Sequence, residues 1–157
     1  RDHGEELARQ GQKEQATELY ERSYRTYERA VQLAPTDLAK LDQAMLSVRL
    51  RNDLALMAIQ YVGRDWESSR RLLDGAIADG DRVLAENTPT NDYEKQQKEQ
   101  LGIAVGDCYE NVALWHLRHS QDFAVAKAAA EKSLTYPGPR GGARAHLREA
   151  ERKLQGK

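Results

Sequence analysis

Apolar side chains in this sequence return every three or four residues, in stretches separated by short polar or proline-containing breaks, and nowhere alternate with period two over the length of a strand. Side chains at i, i+3, i+4 and i+7 lie along one side of an α-helix, whereas a half-buried strand needs strict alternation. A chain made only of such stretches can bury apolar surface in one way, by packing helix on helix. The pattern therefore predicts an all-α fold with no sheet. Composition agrees. Ala and Leu supply most of the apolar atoms, and both favour helices, unlike the β-branched residues of strands. With 31% charged residues against 39% hydrophobic ones, the core must be thin and drawn out along the helices. The length of 157 residues suits a single domain.

The breaks fall at Ala34-Pro35-Thr36, Val62-Gly63-Arg64-Asp65, Thr88-Pro89-Thr90-Asn91, Ser120-Gln121-Asp122 and Pro137-Gly138-Pro139-Arg140-Gly141-Gly142. They divide the chain into about six helices. The first runs to about residue 34, with Gly4 and Gly11 marking off a short helix or a frayed start before Gln12. The second opens on Thr36, a good N-cap residue, and ends at Val62. Its apolar stripe changes face between Arg49 and Asp53, which predicts a bend or different neighbours on the two sides. The third covers 65–86, with Trp66, Ser69, Leu73, Ala76, Ile77, Gly80, Val83 and Leu84 inward. The fourth opens on Asn91 with Glu94 three residues on, a capping-box pattern, and carries Leu101, Ala104, Val105, Cys108, Val112 and Trp115 on one stripe. The fifth covers 122–135 and the sixth about 143–154.

Three of these helices share a local pattern. An aromatic residue (Tyr20, Trp66, Phe123) is followed three residues later by a small one (Ser23, Ser69, Ala126) and ten residues later by another (Ala30, Ala76, Ser133). A bulky group packs back on the preceding helix, and the small ones let two backbones approach. Tyr27 to Pro35 closes the first instance with a proline that forbids continuation. At these residues the chain resembles the tetratricopeptide repeat family, whose unit is a helix pair of about 34 residues with small residues at the crossing and a terminal proline. The aligned aromatics stand 46 and 57 residues apart, so the repeats are elongated and degenerate. The resemblance implies antiparallel αα-hairpins over about 5–62, 65–119 and 122–155, stacked as a right-handed superhelix, with 143–155 as a terminal cap. A plain antiparallel bundle is the structural alternative.

The same resemblance implies a protein-interaction scaffold whose concave face is lined by the first helix of each pair. The ligand-facing positions would be Arg51, Leu54, Ala58 and Tyr61 in one repeat, and Asp107, Asn111, Leu114 and Arg118 in the next. Asn111 stands alone, without the second asparagine of a clamp for a peptide carboxylate. The partner would be a protein or peptide; the alternative is a structural module that associates with copies of itself or sits within a larger, envelope-associated assembly.

Other chemistry finds little footing. A net charge of −1 offers no field for nucleic acid, and no stretch approaches the ~20 apolar residues of a membrane span. His116 and His119, with Asp122 beyond, could begin a metal site, but Asp122 is better placed to cap the next helix and no further ligands complete the set. We expect no metal and no cofactor. Cys108 sits on an apolar stripe between acidic neighbours and reads as core, not as a nucleophile. Gly102 and Gly106 lie inside a helix, so they serve a close helix crossing or a local weak point, not phosphate binding. Arg140, Arg144, Arg148 and Arg152 recur every four residues, as on a solvated face of a capping helix. Tyr20, Tyr24 and Tyr27 serve equally as core or as contact surface. The single cysteine leaves cytoplasm and periplasm both open. The first residue is Arg1, so the chain is expected to be a piece of a longer protein.

Overall fold

In a computed structural model that describes residues 2–156, the chain is helical throughout, and no strand occurs among the described residues. The helices are α1 (Asp2–Arg9), α2 (Lys13–Gln32), α3 (Leu41–Leu56), α4 (Trp66–Glu86), α5 (Asp92–Trp115), α6 (Phe123–Ser133) and α7 (Gly141–Leu154). The seven replace the six expected because Gly11, in the left-handed region at φ 80°, ends α1 and lets the chain turn into α2. Thr36 is not an N-cap. The Asp37 carboxylate accepts the N–H of Ala39 at 3.0 Å, a local turn that competes with helix. α3 therefore begins only at Leu41, after Lys40. The other starts follow the sequence. Asn91 accepts the N–H of Glu94 at 2.9 Å, and Asp122 accepts that of Val125 at 3.1 Å. The Glu94 carboxylate reaches back one residue beyond the cap, to the N–H of Thr90 at 2.7 Å.

α3 and α5 both end in a wider, π-type turn, at Met57–Val62 and His116–Ser120. Each is closed by a left-handed residue, Gly63 or Gln121, whose N–H donates five residues back, to Ala58 at 2.7 Å and to His116 at 2.8 Å. α3 is helical straight through Arg49–Asp53. The change of face arises from a change of neighbours. Val48 and Ala55 join the main core with α4 and α5, while Leu54, Met57 and Ala58 meet Tyr24 of α2.

Consecutive helices pack on one another, and α5 also meets α3 across α4 and α7 across α6. This arrangement is compatible with a helical repeat. α5 is the hub. Leu101, Val105, Cys108 and Ala113 are fully buried within the main cluster, with Leu73 and Ala76 of α4 beside them. Buried polar groups are matched along it: Asn111 donates to Asn52 of α3 at 2.9 Å, and the Trp115 indole donates to the Trp66 carbonyl at 2.8 Å.

The two glycines of α5 seat the turn between α6 and α7, not a neighbouring helix. Pro137 lies over Gly102, and Arg140 and Tyr136 lie over Gly106. Arg140 was expected on a solvated face, yet it is 2% exposed. Its guanidinium donates to Asp107, to the Ile103 carbonyl at 2.9 Å and to the Pro137 carbonyl. Glu110, one turn along, accepts the N–H of Ala143 at 2.9 Å and so caps α7. Arg144, Arg148 and Arg152 remain exposed.

Candidate functional site

The residues assigned by resemblance to a concave binding face are mostly turned inward. Leu54 and Ala58 are buried against Tyr24, and Leu114 lies in the main core. Asn111 is spent on Asn52. Tyr61 donates to Glu5 of α1 and packs against the Tyr20 ring at 4.9 Å. Arg51 is held by Asp79 at 2.9 Å, and Asp107 by Arg140. Of the eight, only Arg118 is exposed. The structure does not bring these eight together as one open surface, because α2 covers the end of α3 and Pro137–Arg140 cover the middle of α5.

An open apolar surface lies elsewhere. α4 and α6 each pack on α5 and stand apart from one another, leaving a groove of about 370 Å³. Ile77 and Ala78 of α4 form one wall, Val125, Ala128 and Ala129 of α6 the other, and Val112 and Tyr109 of α5 the floor. Val125 is 40% exposed. Full burial of such a side chain is worth about 1.5–3 kcal/mol, so a partner that covered the part still exposed would gain roughly 1 kcal/mol. The sequence carries this groove faintly. Ile77 belongs to the inward stripe expected for α4, whereas Ala78, Val125, Ala128 and Ala129 stand beside the stripes, where a solvated helix would carry charge.

Charges mark both ends of the groove. At one, Lys132 stands 5.6 Å above the ring of Tyr136 and 6.0 Å above that of Tyr109, whose hydroxyls both donate to Asp81. Burial and this carboxylate raise both phenols above their ordinary range, Tyr136 the further. At the other, Arg70 binds the Asp74 carboxylate at 2.9 Å and points a further N–H at Nε2 of His116. A wider hollow of about 530 Å³ between Lys40, Asn87 and Tyr93 mixes Leu41 and the Tyr93 ring with Asp42, Glu94 and Gln97.

The two histidines that suggested a metal half-site are otherwise engaged. His119 stacks on Trp66, with centroids 5.0 Å apart and planes 4° from parallel, and meets the edge of Trp115 at 4.8 Å. His116 bridges Arg70 and Ser120, whose Oγ lies 2.7 Å from Nδ1. Burial, then the Arg70 charge, holds its imidazole below the ordinary histidine value. Among the described residues no three His, Cys, Asp or Glu side chains come together as a metal-ligand set. The Cys108 thiol is enclosed, and burial and then Asp107 push its pKa far up.

No family model, no curated protein and no solved structure matches this chain.

Proposed function

We propose that this chain is a non-catalytic protein-interaction scaffold, a degenerate relative of the tetratricopeptide type of helical repeat, and that it receives its partner in the groove between α4 and α6. The observation that carries this is the groove itself: an apolar floor and two apolar walls, open along two helical turns, with charged side chains at the ends. That geometry suits an amphipathic helix laid in by its apolar side, with small apolar residues at i, i+3 or i+4 and i+7. It also moves the binding face away from the residues the family resemblance implied. The ionisable side chains in unusual surroundings support a scaffold over an enzyme. Cys108 is out of reach of substrate, and Asp107, Glu110 and Asp81 hold helices and turns in place.

The test is affinity capture with quantitative mass spectrometry, run with the wild type and with Val125→Arg, followed by binding measurements with the captured partner. A protein retained by the wild type and lost by the variant supports the groove; equal retention by both removes it. A second role is favoured by Leu33, which stands 86% exposed just beyond α2. Self-association there would appear as a stable dimer in light scattering that Leu33→Ser disperses.

A further inference from the structure

The groove walls α4 and α6 are connected at one end by a line of polar groups that passes through the end of α5. Asp74 of α4 holds Arg70 at 2.9 Å. Arg70 Nη1 meets His116 Nε2, and His116 Nδ1 meets Ser120 Oγ at 2.7 Å. The Ser120 hydroxyl in turn accepts the N–H of Asp122 at 3.3 Å, and Asp122 caps α6 through Val125. The rings of Trp115 and His119 close the site from the same turn, Trp115 meeting His116 edge-on at 4.9 Å.

This line has one consistent arrangement of protons. A guanidinium has only donors, so the His116 Nε2 that faces it must offer a lone pair. A neutral imidazole then carries its proton on Nδ1, which donates to Ser120. An imidazolium has N–H on both sides and would set a second cation against Arg70. We propose that His116 is a proton-operated latch at the end of the groove: uptake of one proton expels Arg70 from His116 and uncouples the N-terminus of α6 from α4. No covalent bond changes; the proton comes from solvent and rests on Nε2. The groups that face the imidazole are Arg70 and Asp74 from α4, Ser120 from its own turn and Asp122 from the start of α6. The two carboxylates oppose the effect of Arg70 and burial without overturning it. The consequence for binding rests on the groove being the partner site, since Arg70 lines that groove and Val125 opens its other wall. The latch itself is a property of the free chain.

The experiment therefore uses the free chain. Long-range proton–nitrogen NMR of ¹⁵N-histidine-labelled protein reads the tautomer and titration of His116 directly. The expected result is the Nδ1–H form at pH 7.5, and a midpoint below the ordinary histidine value that rises in Arg70→Gln. Hydrogen exchange at Val125 and Ala126, corrected for the intrinsic effect of pH, should accelerate between pH 7.5 and 5.5 in the wild type. It should not do so in His116→Gln, whose amide oxygen accepts from Arg70 at every pH. An Nε2–H tautomer, a midpoint unmoved by Arg70→Gln, or the same acceleration in His116→Gln would overturn the latch. None of these outcomes depends on a partner, so failure of the groove proposal would show separately, in the capture experiment.

Discussion

Single residues decide how closely this chain packs on α5. A methyl group on Gly80 would lie 2.3 Å from Cγ2 of Val105, and one on Gly106 would lie 2.2 Å from the Arg140 guanidinium and 2.7 Å from Cβ of Tyr136. Gly75, on the same helix as Gly80, meets only the end of the Arg51 side chain at 3.3 Å. Helix propensity favours Ala over Gly by about 1 kcal/mol at all three positions. The crowding must outweigh that gain at two of them, since overpacking costs about 1–3 kcal/mol. We expect Gly80→Ala and Gly106→Ala to lower the denaturation midpoint, and Gly75→Ala to leave it unchanged or raise it. Urea titrations of the three variants decide this; a stabilised Gly106→Ala would mean that the Pro137–Arg140 turn is not seated as described. Cys108 supplies a second expectation at this scale. Its thiol is fully enclosed and its pKa is raised by burial, so it should react with Ellman's reagent in the native state far more slowly than after unfolding.

At the scale of the helix, the small-residue pattern makes its own prediction. Ala126 is fully buried with Leu117 and Ala150, where α6 meets α7 and the end of α5, whereas Ala124 is exposed. Ala126→Leu should therefore destabilise by about 1–3 kcal/mol, and Ala124→Leu by much less, in chemical denaturation. Equal midpoints would remove the basis for aligning the three helices. Helix identities were legible because inward stripes persist for several turns: Ser69, Leu73, Ala76, Gly80 and Val83 are all buried as their spacing implies. Asn91 and Asp122 were legible as caps because capping is a local interaction. Thr36 misled because Asp37 offered the backbone a competing turn one residue later. The burial of the residues assigned to a binding face was illegible for a different reason. Spacing says which residues share a side of α3 or α5, but not that α2 and the Pro137–Arg140 turn lie over that side.

For the molecule as a whole, pH should act through the buried His116 and the half-buried His146. Burial, followed by Arg70, lowers the pKa of His116; burial lowers that of His146, with Arg118 adding to it and Glu149 opposing it. The unfolded chain, with histidines near their ordinary value of about 6.5, takes up these protons before the folded one does. Stability is then fully present above that value and is lost as pH falls through and below it. Asp107 and Glu110 have the opposite sign. Burial raises both pKa values, so protonation in the carboxylate range favours the folded state and offsets part of the loss. The melting temperature should fall between pH 7.5 and 5.5 and fall less in His116→Gln. A flat profile over that interval would contradict the burial of both imidazoles.

The enclosed guanidinium of Arg140 also bears on the order in which the chain comes apart. In stacked helical repeats each unit is held only by its neighbours, and the end units open first. Here the C-terminal end is an exception. α7 cannot lift away while the turn before it has an arginine locked against α5, because partial opening would strand that charge half-hydrated, with Asp107 and the Ile103 carbonyl unmatched. Opening there becomes all-or-none, joined to α5. At the N-terminal end the tie is a half-exposed one, from Tyr61 to Glu5. α1 is eight residues long and buries only Gly4. Native-state hydrogen exchange should therefore run unevenly from the two ends, with α1 and the start of α2 exchanging through local fraying and α7 exchanging together with the centre of the fold.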